Sequence, residues 1–279
     1  AIDLKVEQKL LETLPFRPTA GQVQAYKEIC TDLEKSVPML RLLQGDVGSG
    51  KTLVAIMACL QVCRNGKQCV LLAPTELLAN QHYQSFKKFL SPFAVNLVLL
   101  HSSLPQNQRQ QILKEIASGT ANIIIGTHSV FQENVKYHDL ALAVIDEQHR
   151  FGLEQRSSLL KKAPKGKSLH QLVMTATPIP RTLQLAIYSN LDVSSIYDKP
   201  PGRKKIITAM VLDRRRREVI SHLRNVCEIG QQVYWVCPLI GENGDDQAAA
   251  QNVYKEISRS LPDIKCALLH GQLKPAQKQ

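Results

Sequence analysis

The segment Gly45-Asp-Val-Gly-Ser-Gly-Lys-Thr52 constrains this chain more than any other. It follows a short apolar run, Met39–Leu43, and opens an amphipathic one, Thr52–Cys63. That is the strand-to-helix setting in which the pattern G-x-x-x-x-G-K-[ST] forms a phosphate-binding P-loop. Glycine reaches backbone conformations that a Cβ closes. Successive N–H groups of Gly45, Asp46, Val47, Gly48, Ser49 and Gly50 can then converge on one anion. Lys51 is expected to reach the terminal phosphates of a nucleotide, and the Thr52 hydroxyl to ligate Mg²⁺. The partial positive charge of the helix N-terminus adds to the same site.

A strand that delivers such a loop needs parallel neighbours, and the sequence supplies them. Short apolar runs recur at Cys69–Ala73, Asn96–Leu100, Asn122–Gly126, Leu140–Ile145 and Leu172–Thr175. Helix-like stretches lie between them: Glu76–Leu90, Asn107–Ser118 and Arg181–Tyr188. Val-, Ile- and Leu-rich runs separated by helices predict a parallel sheet covered on both faces. This is the doubly wound α/β class, whose ligands bind beyond the carboxyl ends of the strands.

At one such end, Leu140-Ala-Leu-Ala-Val-Ile runs into Asp146 and Glu147. An acidic pair after a strand is commonly only a solvated loop. In the same sheet as a P-loop it fits a sharper division of labour. Asp146 is placed to hold Mg²⁺ through water, and Glu147 to orient and deprotonate a water attacking the γ-phosphate.

Asp146-Glu-Gln-His149, followed by Arg150-Phe-Gly152, is similar to the second motif of superfamily 2 helicases in its RecG-type, branched-DNA form. Other segments resemble the family's motifs in the expected order. Leu14-Pro-Phe16, with Thr19 and Gln22, looks like the adenine-recognising segment, which implies that Gln22 reads the base edge. Ala73-Pro-Thr-Glu-Leu77 and Gly126-Thr-His128 look like motifs Ia and Ib. By resemblance, Pro74, Thr75, Gly126, Thr127 and His128 touch a DNA backbone. Read alone, Thr and Pro after a strand are more often turn formers. Met174-Thr-Ala-Thr-Pro178 resembles motif III, so Thr175 and Thr177, with Gln148 and His149, are expected to couple nucleotide state to DNA binding. The resemblance implies two RecA-like lobes of the P-loop NTPase kind. Lobe 1 is expected over 1–197, a linker over 198–205, and the opening part of lobe 2 over 206–279. In lobe 2 the reading predicts helices Arg214–Cys227 and Asp246–Ser260 and strands Gln232–Ile240 and Lys265–His270. Motifs V and VI, the latter carrying the family's arginine fingers, have no counterpart here, so weak ATP turnover is expected of this piece.

Charge agrees with a polyanionic partner. The chain carries a formal +11, with basic clusters at Lys161–Lys167, Arg203–Lys205 and Arg214–Arg217 suited to phosphates. The resemblance names that partner as branched or duplex DNA, with ATP and Mg²⁺ as ligands and a monomer as the working state. A kinase of small molecules shares the P-loop but predicts an arginine-bearing lid, and no such segment is recognisable. A DNA-binding module that ignores nucleotide is the other reading, and it makes the intact Lys51, Thr52, Asp146 and Glu147 hard to explain. Seven scattered cysteines match no zinc spacing. Cys59, Cys63, Cys69, Cys237 and Cys266 read as buried thiols of a reducing compartment. No apolar run approaches the ~18–20 residues of a membrane span, and Ala1–Leu11 has no signal-peptide core, so a cytoplasmic protein is expected.

Overall fold

Burial on both faces is what turns the apolar runs into strands. The structure is a computed structural model that describes residues 3–147, 162, 169–176, 191–198, 206–237, 246–270 and 273. The chain divides into two units, Ala1–Arg203 and Lys204–Gln279, with the division inside the segment expected as a linker.

In the first unit the strands are β1 (Leu40–Gly45), β2 (Gln68–Leu72), β3 (Leu97–Leu100), β4 (Ile123–Gly126), β5 (Leu140–Asp146), β6 (His170–Thr175) and β7 (Asp192–Ile196). They form one sheet in the order β3-β4-β2-β5-β6-β1-β7, and every pairing is parallel. Side chains alternate across it as the pleat requires. Ile123 and Ile125 enter one apolar core, and Ile124 enters the other. The first core is closed by helices α1 (Leu4–Thr13), α2 (Ala20–Leu33), α3 (Lys51–Arg64) and α4 (Glu76–Leu90). The second is closed by α5 (Gln106–Ser118) through Ile116 and by the segment holding Val130 and Val135. The doubly wound class is therefore as expected, and the sheet and its covering helices give it physical form.

Strand β7 and helices α1 and α2 are additions to the sequence reading. β7 reads Asp-Val-Ser-Ser-Ile and buries only Ser194 and Ile196. An edge strand with so few apolar residues gives almost no periodic signal. It is held instead by ions. Arg41 of β1 donates to Asp32 Oδ2 (2.7 Å), to Glu28 Oε2 (3.3 Å) and to Ser194 Oγ (3.0 Å). Burial pushes the Asp32 carboxyl up, but the hydrogen bonds from Arg41 and Lys35 outweigh it and hold the group below the usual range. This network ties α2, β1 and β7 together behind the P-loop.

In the second unit, α6 (Arg216–Glu228) and α7 (Asp246–Ser260) form as expected. The expected strands do not. Residues 231–237 and 265–270 make no ladder among the described residues. A strand is stable only with a hydrogen-bonded neighbour and a packed face, and here Tyr234, Val236 and Leu269 are exposed. In this unit Ile220 and Leu261 are buried, exposed Arg216–Glu256 (2.9 Å) and Arg224–Asp263 (3.3 Å) pairs join α6 to the segment 256–263, and Arg216 also lies over the Trp235 ring. One further expectation is corrected, and another falls where nothing tests it. Cys63, Cys237 and Cys266 are only partly buried, unlike Cys30, Cys59 and Cys69. Helix Arg181–Tyr188 lies outside the described residues.

Candidate nucleotide site and its sheet edge

The P-loop leaves β1 at Gly45 and enters α3 at Lys51. Its turn is closed by Ser49 N–H donating to Asp46 O (3.0 Å) and by Val47 N–H donating to Asp46 Oδ1 (2.8 Å). Gly48 and Gly50 take left-handed φ values of 80° and 83°, which L side chains adopt at a cost. Gly50 is also the N-cap of α3 and gives that helix no side-chain cap. The Leu53 N–H donates to Gly50 O (3.0 Å), and the amides of Lys51 and Thr52 before it are the ones a ligand or water would meet. Ser49 Oγ is buried without a hydrogen-bond partner, packed against Gly45 on the side of Ile196 O.

Lys51 Nζ donates to Gly45 O (2.6 Å) and Asp46 O (3.1 Å), folded over its own loop. Burial pushes its ammonium below the usual lysine range, while the charges of Asp146, Glu147 and Asp46 push it back up. The lysine therefore feels both carboxylates from across β6. The register explains this: Asp146 pairs with Met174, and Gln44 pairs with Thr175. Asp146, Thr175 and the P-loop leave the sheet at one carboxyl edge, and Thr52 follows Lys51 there, partly exposed. Glu147 turns the chain out of the sheet with φ 50°, the one non-glycine residue with positive φ among those described. Its N–H donates to Met174 O (3.0 Å). Left-handed backbone at a non-glycine residue costs about 1–2 kcal/mol and concentrates at functional positions.

Gln22 is where structure adds most to the sequence reading. It sits at the N3 position of α2 in a capping box with Thr19, accepting from Thr19 N–H (2.9 Å) through Oε1. Its Nε2 donates to Ser49 O (2.8 Å). Both ends of the amide are engaged, and the side chain braces the P-loop from behind.

The motif Ia and Ib residues lie on the same edge with differing access. Thr75 is exposed and caps α4, its Oγ1 accepting from Leu78 N–H (3.2 Å), and Pro74 is half-buried. His128 is exposed, whereas Gly126 and Thr127 are buried. Gly126 has a packing reason to be glycine: a Cβ there would lie 2.2 Å from Leu100 O. Gln148, His149 and Thr177 lie outside the described residues, as do the basic residues of 203–205. Within Lys161–Lys167 only Lys162 is described, and its ammonium donates to Gln132 O (2.7 Å), Glu133 O (3.4 Å) and Val135 O (3.0 Å). It clamps a loop. Arg215 and Arg216 pair with Glu218 and Glu256, so of Arg214–Arg217 half is engaged within its own unit.

The sequence reading passed over His82. It lies on the buried face of α4 with Ala79, Phe86 and Leu90, and its Nε2 is 2.7 Å from Asp146 Oδ2. An imidazole at a helix position whose neighbours are apolar is the signal that could have found it.

A parallel sheet with a P-loop sequence and an acidic pair on one edge has the RecA-like form, and comparison with known proteins makes the family specific. Residues 19–186 match the DEAD/DEAH box helicase family, and the chain belongs to it. Among curated relatives it is 47% identical, over 99% of its length, to ATP-dependent DNA helicase RecG of Haemophilus influenzae, and 46% identical over 98% to that of Escherichia coli K12. It spans 40% of each of those relatives. A solved structure of RecG bound to a three-way DNA junction matches 94% of the chain with a TM-score of 0.78 and 37% identity, covering 34% of that chain. A DEAD-box helicase, Mss116, shares the fold at 19% identity and a TM-score of 0.62. The RecG-type reading drawn from a few motifs thus extends along the whole chain.

Proposed function

We propose that this chain is the ATP-driven motor segment of a DNA helicase that acts on branched or duplex DNA, remodelling stalled forks and junctions. The observation that carries the reading is the convergence of Lys51 with Asp146 and Glu147 at the P-loop edge of one sheet. The relatives' names supply the substrate class.

The chain's own residues then divide the work. The amides of 45–50 and the start of α3 cradle the β- and γ-phosphates. Lys51 leaves the carbonyls of Gly45 and Asp46 and moves its charge onto the terminal phosphate. Thr52, through its hydroxyl, and Asp146, through water, would hold the Mg²⁺, which would supply charge neutralisation. Glu147, set outside the strand by its left-handed backbone, accepts a proton from the attacking water. Thr75 and His128 at the same edge offer a hydroxyl and an imidazole to DNA phosphates, contacts that position without reading sequence. Gln148, His149, Thr175 and Thr177 connect the two events. In the living cell the protein works in the cytoplasm as a monomer.

Equilibrium binding of a fluorescent ATP analogue with Mg²⁺ to wild type and Lys51→Ala tests this. Binding in the wild type, weakened at least tenfold in the mutant, is the expected outcome. Equal binding by both removes Lys51 from the site. Absence of nucleotide binding in both, with salt-sensitive DNA binding intact, replaces the motor by a nucleotide-independent DNA-binding module.

A further inference from the structure

Helix α4 runs for 15 residues from the Thr75 cap and packs Ala79, His82, Phe86 and Leu90 inward. Three of these are the apolar residues such a stripe calls for. The fourth is a histidine only 9% exposed. Burying an imidazole costs free energy unless its polar atoms find partners. The partner here is Asp146 Oδ2, at 2.7 Å, with both side chains largely buried. The sheet explains the meeting. β2 and β5 are neighbours, with Leu72 opposite Ile145, so α4, which starts at Thr75 just beyond β2 and packs on β3 and β4, brings His82 within reach of the end of β5.

Resting on the nucleotide reading above, we infer that His82 is a positioning residue for Asp146. Its Nε2–H fixes one carboxylate oxygen, and the other would remain available to the cation that Asp146 would hold. Outer-shell donors of this kind set ligand orientation, and their loss costs about 10–100-fold in metal affinity. The helix adds a second consequence. His82 lies seven residues, about two turns, beyond Thr75, so one rigid element carries both the DNA-facing hydroxyl and the donor to the Mg²⁺ carboxylate. A phosphate bound at Thr75 then alters Mg²⁺–nucleotide affinity through α4, and by linkage the nucleotide alters DNA affinity by the same factor.

The test is a Mg²⁺ titration of binding to a fluorescent ADP analogue, on wild type, His82→Phe and His82→Gln. Phenylalanine keeps the apolar stripe without a donor, and glutamine keeps an N–H that reaches the carboxylate. His82→Leu, smaller and also without a donor, gives the same answer where a phenyl ring prevents folding. In chelator all proteins bind alike. With Mg²⁺, half-maximal enhancement in His82→Phe requires about 10–100-fold more cation than in wild type, and His82→Gln stays close to wild type. A Phe variant that titrates like wild type overturns the inference, and so does a Gln variant that behaves like Phe. Duplex DNA shifts Mg²⁺–nucleotide affinity in wild type and leaves His82→Phe unmoved; equal responses, or none in wild type, sink the link through α4. A wild type that binds no nucleotide with or without Mg²⁺ overturns the nucleotide reading itself, a different result from any of these.

Discussion

Gln22 has two incompatible jobs on offer, and replacing it separates them. Family resemblance gives its amide to the adenine edge. The structure gives the same amide to Thr19 N–H and Ser49 O, with the side chain buried against Gly50. In Gln22→Ala the bond to Ser49 disappears and that carbonyl stays in place, short of its partner. A lost hydrogen bond contributes about 0.5–1.5 kcal/mol, and an orphaned buried polar group costs about 1–3 kcal/mol. Felt wholly in the loop, ~1–3 kcal/mol weakens phosphate binding by roughly 5- to 150-fold. A brace acts on the phosphate cradle and is blind to the base. Isothermal titration of Mg²⁺ complexes of ATP, GTP and pyrophosphate should therefore show the same fold-loss for all three. Loss confined to ATP, with GTP and pyrophosphate binding as in wild type, would refute the brace and return Gln22 to base recognition. The released capping box should separately lower stability by about 1 kcal/mol, visible as an earlier melt without nucleotide.

Glu147→Gln keeps the left-handed turn and the bond to Met174 O but cannot take a proton; DNA-stimulated turnover should fall by about 10²–10⁴ with nucleotide affinity unchanged. An equal loss of affinity would make Glu147 a binding residue. Arg41→Met strands the buried Asp32 with only the exposed Lys35 as partner, which should cost about 3 kcal/mol and lower the melting temperature by roughly 6–12 °C. Because the folded Asp32 carboxyl is held low, its contribution is full above the unfolded carboxylate value of about 4 and is lost as pH falls below it toward the lowered folded value. The gap between wild type and Arg41→Met should accordingly narrow on acidification, and a gap independent of pH would show that Asp32 is not its source.

Where a residue's role follows from its neighbours in sequence, it was legible. The P-loop needs a strand before it and a helix after it, and the run 39–63 carries both signals, so Lys51 and Thr52 stand where the pattern puts them. Asp146 ends an apolar strand, and parallel register brings it near Lys51. What stayed hidden depends on partners distant in the chain. β7 is held by Arg41 and Glu28, more than 150 residues away, and its serines read as loop. His82 is unremarkable until β2 and β5 are known to be adjacent. The strand expectations of the second unit failed for the converse reason. The apolar run at 233–237 describes a segment able to pair, and pairing needs a neighbour that no local pattern supplies.

The same distant contacts give the site a common design. In the described state three groups expected to meet nucleotide or metal already have protein partners: Lys51 the carbonyls of its own loop, Gln22 the Ser49 carbonyl, Asp146 the imidazole of His82. Ser49 Oγ, buried in the loop, has none. A ligand entering such a site exchanges hydrogen bonds more than it adds them, so each exchange yields little net free energy and affinity rests on the charge met by Lys51 and the helix N-terminus. The partners differ in what they are attached to. Lys51 is held by its own loop and moves alone, while Gln22 belongs to α2 and His82 to α4, helices that reach away from the phosphates. Exchange at Gln22 or Asp146 therefore changes what holds a helix, and α4 begins at the threonine proposed to touch DNA. A motor needs that asymmetry: one group free to follow the phosphate, and others whose release moves something larger.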